Sequence, residues 1–119
     1  MSEQRHAQRR RLSVVVPVTD VLTGDMVGRI VNLSTNGLQI ARTVSAQHGL
    51  QAGALYQLSF SLADPSGMEQ AVECGIEVMW VRHVAERDID LVGARFILID
   101  PAALKRIARW CEAGEHASA

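Results

Sequence analysis

Apolar and polar positions alternate most cleanly between Leu55 and Leu62, where Tyr56, Leu58, Phe60 and Leu62 share one face and Gln57, Ser59 and Ser61 the other. A period of two marks a half-buried strand. The same reading applies to Val72, Cys74, Ile76, Val78 and Trp80, set against Glu73, Glu77 and Met79, and to the stretch from about Leu91 to Ile99. Upstream, Leu12-Ser13-Val14-Val15-Val16-Pro17-Val18 is rich in β-branched residues and predicts a first strand. Val27, Arg29, Val31 and Leu33 alternate with Met26, Gly28, Ile30 and Asn32 along a second, and Leu38 to Ala41 forms a third.

Turn chemistry separates these runs. Thr23-Gly24-Asp25, Thr35-Asn36-Gly37, Asp64-Pro65-Ser66-Gly67 and Glu86-Arg87-Asp88 each break the pattern, and residues 43 to 53 read as a longer loop. The Asn36-Gly37 pair predicts a tight reversal in which Gly37 supplies a positive φ. After Asp100-Pro101, an N-cap followed by proline at the first helical position, the period changes to that of a helix. Leu104, Ile107, Ala108 and Cys111 form its apolar stripe, and Gly114 is placed to close it. Six short strands and one terminal amphipathic helix predict a mainly β fold, an antiparallel barrel flanked or plugged by that helix.

Composition fits one domain: 119 residues, 48% hydrophobic and 21% charged, are enough for a single core. Charge is unevenly spread. The whole chain carries −1, yet Arg5, Arg9, Arg10 and Arg11 stand against Glu3 alone in the first dozen residues, a local +3 that leaves −4 on the rest. Residues 1–11 lack apolar periodicity and read as a flexible basic arm, 12–114 as the barrel domain with its helix, and 115–119 as a tail. A basic arm on a mildly acidic body suits a compact polyanion better than general DNA coating.

Cys74 and Cys111 are the only cysteines, and both fall in segments that read as buried, which suggests neither a disulfide framework nor a paired-ligand zinc site. His6, His48, His83 and His116 have no metal-ligand spacing. No apolar run is long enough for a bilayer span, and the arginines precede no signal-peptide core, so a cytoplasmic protein without membrane insertion is expected. There is no nucleophile elbow, phosphate-binding glycine loop or zinc-protease helix, and the reading is that of a receptor without enzymatic activity or cofactor.

Two motifs carry a resemblance. Arg5-His6-Ala7-Gln8-Arg9 has the Arg-x-x-x-Arg spacing, and Asn32-Leu33-Ser34-Thr35-Asn36-Gly37 has the [Asp/Asn]-x-Ser-x-x-Gly pattern at a strand reversal. In that order they resemble the PilZ domain, a family of receptors for the bacterial second messenger cyclic di-GMP. Val78-Met79-Trp80-Val81-Arg82 looks like the family's late strand, Val92-Gly93-Ala94-Arg95-Phe96 like its last, and residues 101 to 113 like its closing helix.

The resemblance implies a six- to seven-stranded, Greek-key-like barrel that binds one or two cyclic di-GMP molecules, changes conformation and acts through an unidentified effector protein. It implies ligand contacts from Arg5, Arg9, Arg10, Arg11, Asn32, Ser34, Gly37 and Trp80. The spacing selects Arg5 and Arg9 as the arginine pair, whereas proximity to the first strand favours Arg10 or Arg11, and Asn32 stands where aspartate is common. Trp80 has two readings, since it alternates in phase with the core positions Val72, Ile76 and Val78. Arg82 and Arg95 either join the anion site or face solvent. Ser34 alone reads as turn chemistry, its hydroxyl capping a backbone N–H.

The chemistry fits the ligand. Cyclic di-GMP presents two phosphodiesters and two guanines, and a guanidinium fork can chelate phosphate or the O6 and N7 edge of guanine and stack on a base, which lysine cannot do. All four basic residues of the arm are arginine. Two other functions compete with this reading: a PilZ-like adaptor that does not bind the messenger, and a single-stranded nucleic-acid-binding barrel. The acidic body and an aromatic content of 4% oppose the last, and no DNA or RNA partner is expected.

Overall fold

In a computed structural model, which describes residues 9–11, 15–43, 49–64 and 66–118, the order of elements matches the alternation in the sequence. The strands are β1 (Arg9–Arg11), β2 (Pro17–Asp20), β3 (Met26–Ser34), β4 (Gly37–Thr43), β5 (Leu55–Ala63), β6 (Glu69–Val84) and β7 (Ile89–Ile99), followed by α1 (Pro101–Ser118). All pairings are antiparallel, in the order β1-β3-β2-β5-β6-β7-β4, and β4 returns to β3. Strands β2 to β7 thus close into a six-stranded barrel. Closure gives both long edges of the sheet a partner and limits exposed backbone donors and acceptors.

The interior is aliphatic. Val18, Val27, Ile30, Leu33, Leu38, Ile40, Leu58, Val72, Ile76, Val78 and Val92 are fully buried, with Phe60 and Leu62 beside them. Helix α1 seals the core with Ala103, Ile107 and Cys111, and the Cys111 thiol donates to the Leu33 carbonyl at 3.4 Å. Asp100 caps its start, accepting the Ala102 N–H at 3.1 Å. The expected stop at Gly114 is not taken, and α1 runs on to Ser118. Glycine in a helix interior costs only about 1 kcal/mol relative to alanine, so it is a weak stop without a capping geometry around it.

Strict alternation gives way where the strand register shifts. In β3 the pairing passes from Ile30↔Ile40 to Asn32↔Gln39, which leaves Val31 unpaired and allows Ile30 and Leu33, three residues apart, both to be buried. In the β6–β7 pair, Gly75↔Leu98 is followed by Ile76↔Phe96, and Val78↔Ala94 by Trp80↔Gly93. Met79 is therefore the extra residue just before Trp80, and the residue that follows a bulge changes face.

The first strand also differs from expectation. Lack of periodicity places Arg9, Arg10 and Arg11 in a flexible arm and begins the strand at Leu12; their backbone instead forms β1, paired with β3. Strand β2 begins only at Pro17, although the Val16 carbonyl already accepts the Ile30 N–H at 2.9 Å. Strands β1 and β2 lie end to end along the same side of β3, β1 against Asn32–Ser34 and β2 against Met26–Arg29. Residues 12–14 lie outside the described residues.

Candidate functional site

The polar reversal between β3 and β4 is held by its own side chains. Ser34 is fully buried; its hydroxyl accepts the Asn36 N–H at 3.2 Å and donates to the Gly37 carbonyl at 3.5 Å. Ser34 is thus a turn brace, the plainer of its two readings. On the next strand over, the Asn36 carbonyl accepts the Phe96 N–H at 3.0 Å, which fastens the reversal to β7.

Gly37 is needed for a reason other than the one expected. Its φ is not among the positive values found at Gly24, Gly28, Gly53 and Gly67, so the reversal does not call on left-handed backbone there. What it requires is space: a Cβ at this position would overlap the Ala94 carbonyl oxygen and come within 2.9 Å of the Arg95 Cα. The glycine lets β4 and β7 approach closely.

The arginine strand meets this reversal directly. Arg9 stands opposite Ser34, Arg10 opposite Leu33 and Arg11 opposite Asn32. The backbone register therefore joins the two sequence motifs, with Arg11 the cross-strand neighbour of Asn32. Arg5 lies outside the described residues.

From Asn32 the register continues as one row across the barrel wall. Asn32 pairs with Gln39 on β4, Gln39 with Gly93 on β7, and Gly93 with Trp80 on β6. Five strands thus contribute Arg11, Asn32, Gln39, Gly93 and Trp80. With strands about 4.8 Å apart, the row is roughly 19 Å long along the sheet.

Trp80 is not in the core. The Met79 bulge takes it out of phase with Ile76 and Val78, and it is 39% exposed, so the core reading of this residue is overturned. Its indole lies on Gly93, where a Cβ would overlap ring atoms Cε2, Cζ2 and Nε1. Val92 and Ala94 on either side are buried, so Gly93 leaves a smooth strip of backbone under the ring. The signal for this was present in the sequence as a glycine inside an otherwise apolar strand, a mark of close approach.

Two further arginines stand on the strands that carry Trp80 and Gly93. The Arg82 guanidinium carbon is 5.9 Å from the Trp80 ring centroid, within cation–π range. Arg95, two residues along β7 from Gly93 and opposite Gly37, donates to Glu77 Oε1 through Nε at 2.8 Å and Nη2 at 2.6 Å. In register, Arg82 thus lies to one side of the Trp80–Gly93 pair and Arg95 to the other. The sequence left both undecided and did not single out Gln39, Gly93 or Glu77.

An antiparallel six-stranded barrel, sealed by a C-terminal helix and carrying a polar strand reversal beside an arginine strand, defines a class of fold. The family model described as PilZ domain matches residues 3–113, and the chain belongs to that family. No curated protein sequence matches it.

Among solved structures, it is similar to the Bacillus subtilis inhibitor of motility MotI/DgrA, with a TM-score of 0.81 at 12% identity, over 98% of this chain and 53% of that one. The PilZ domain of YcgR from Escherichia coli, solved with c-di-GMP, is similar with a TM-score of 0.68 at 14% identity, over 98% and 95% of the two chains. The K. pneumonia MrkH–c-di-GMP complex follows with a TM-score of 0.62 at 18% identity, over 89% of this chain and 49% of that one. The chain spans about half the length of MotI/DgrA and of MrkH.

Proposed function

We propose that this chain is a bacterial cytoplasmic receptor for cyclic di-GMP, without catalytic activity, that holds the messenger on the outer face of the barrel and passes the bound state to a protein partner. The observation that carries this reading is the register that sets Arg9–Arg11 against Asn32–Ser34. Family membership and the similarity to two barrels solved with c-di-GMP support it.

The roles follow from side-chain chemistry. Arg5, Arg9, Arg10 and Arg11 supply forks for phosphates and guanine edges. Asn32 offers a carbonyl to guanine N–H groups, Gly37 keeps the reversal tight, and Trp80 offers a flat face for a base. Ser34 acts through the turn it braces. A change of surface on binding is what a partner reads.

Isothermal titration calorimetry with cyclic di-GMP tests the proposal. Saturable heat is expected, with a ratio of one or two messengers per chain. Replacing Arg9 by alanine is expected to weaken binding at least tenfold, since hydrogen bonds to charged groups contribute about 1.5–3 kcal/mol, whereas the exposed turn residue Arg87 replaced in the same way leaves it unchanged. Absence of saturation at low salt and high protein concentration would leave the family's fold serving as a protein adaptor instead.

A further inference from the structure

We infer that Gln39 hydrogen-bonds the edge of the purine that stacks on Trp80. This rests on the proposed cyclic dinucleotide site and adds to it a contact from β4. Gln39 stands in the row between Asn32 and Gly93. Because Gly93 has no side chain and the indole covers it, Gln39 is the first polar side-chain position beyond the ring in the direction of Asn32.

Its neighbours do not occupy it. Arg95, two residues along β7 from Gly93, is bound to Glu77, and Ser34 is engaged within the turn. Among the described residues the half-buried Gln39 carboxamide has no hydrogen-bond partner. Its nitrogen and oxygen are not among the atoms sealed from solvent, so a ligand can reach them. Its strand is fixed on both sides by β3 and β7, so the group is presented from rigid backbone.

A carboxamide carries one acceptor and a donor pair, and can close two hydrogen bonds with a purine edge: the carbonyl takes guanine N1–H while the amide nitrogen donates to O6. The same group can also pair with adenine N6–H and a ring nitrogen. A carboxylate only accepts. It suits guanine N1–H and N2–H and repels the adenine ring nitrogens.

Three proteins in parallel titrations decide the matter: the unmodified chain, Gln39→Leu and Gln39→Glu, each with cyclic di-GMP and with cyclic di-AMP. Gln39→Leu keeps the volume and is expected to lose about tenfold in affinity for cyclic di-GMP, the low end for a lost two-bond contact. Its unliganded melting temperature stays unchanged, and so does the extent of tryptophan quenching at saturation, because the base still stacks. Gln39→Glu is expected to widen the preference for the guanine ligand. Binding of cyclic di-GMP to Gln39→Leu within twofold of the unmodified chain would overturn the inference and leave the receptor reading standing. Failure of the unmodified chain to saturate would remove both.

Discussion

The indole of Trp80 rests on the backbone of Gly93, across the β6–β7 pair. The contact is possible because one residue has no side chain and the other has been turned outward by the bulge at Met79. Replacing Gly93 by alanine therefore forces the ring off its seat. The expected result is a shift in tryptophan emission and weaker messenger binding, with a stability loss of about 1–3 kcal/mol as for other overpacked sites, read by denaturant titration. A Trp110→Phe background isolates the signal.

Gly37→Ala meets backbone rather than a movable side chain, since its Cβ would overlap the Ala94 carbonyl. We expect a loss of at least about 1–3 kcal/mol in urea unfolding. A Cβ added at Gly49 would meet no atom within 4 Å, and the φ there is not positive, so Gly49→Ala shifts the midpoint only slightly, and upward if at all.

Ser34→Ala separates bracing from ligand contact. Losing the acceptor for the Asn36 N–H is expected to cost about 1 kcal/mol of stability with no ligand present. Should the apo protein's unfolding curve be unaffected while affinity falls, Ser34 would be a contact residue after all.

Arg95 is held by Glu77 beside the tryptophan. Glu77→Gln releases a full positive charge on the face where an anion is proposed to bind. Affinity for cyclic di-GMP is expected to rise and to fall more steeply with added salt, while stability changes by less than about 1 kcal/mol, as is usual for an exposed pair.

Burial pushes the Cys74 thiol up to about 12 from 9.0, with a smaller contribution from the Glu73 carboxylate. The folded chain keeps this proton where the unfolded chain has lost it, so stability is expected to decline as pH rises from about 9 towards 12. Unfolding curves across that range would show a shallower decline in Cys74→Ala.

The succession of strands along the chain, the helix and the polar reversal were legible because each is written locally, in alternation, in Asp100-Pro101 and in Asn32 to Gly37. The placement of Trp80 was not. Alternation assigns it to the interior, and only the Met79 bulge, a property of the pairing with β7, reverses that assignment. Gln39 was equally hidden, because the other residues of the row lie on four other strands and a single sequence does not show register. The arginine strand reads as an arm since three consecutive arginines carry no apolar periodicity, yet backbone pairing with β3 needs none.

The Met79 bulge makes the proposed recognition surface depend on counting. Deleting that one residue would remove the register shift between Val78 and Trp80 and swing the aromatic ring towards the oily interior, with every arginine and the whole reversal untouched. The proposed messenger sensing is therefore open to loss through a single codon deletion, far along the chain from the residues that advertise it.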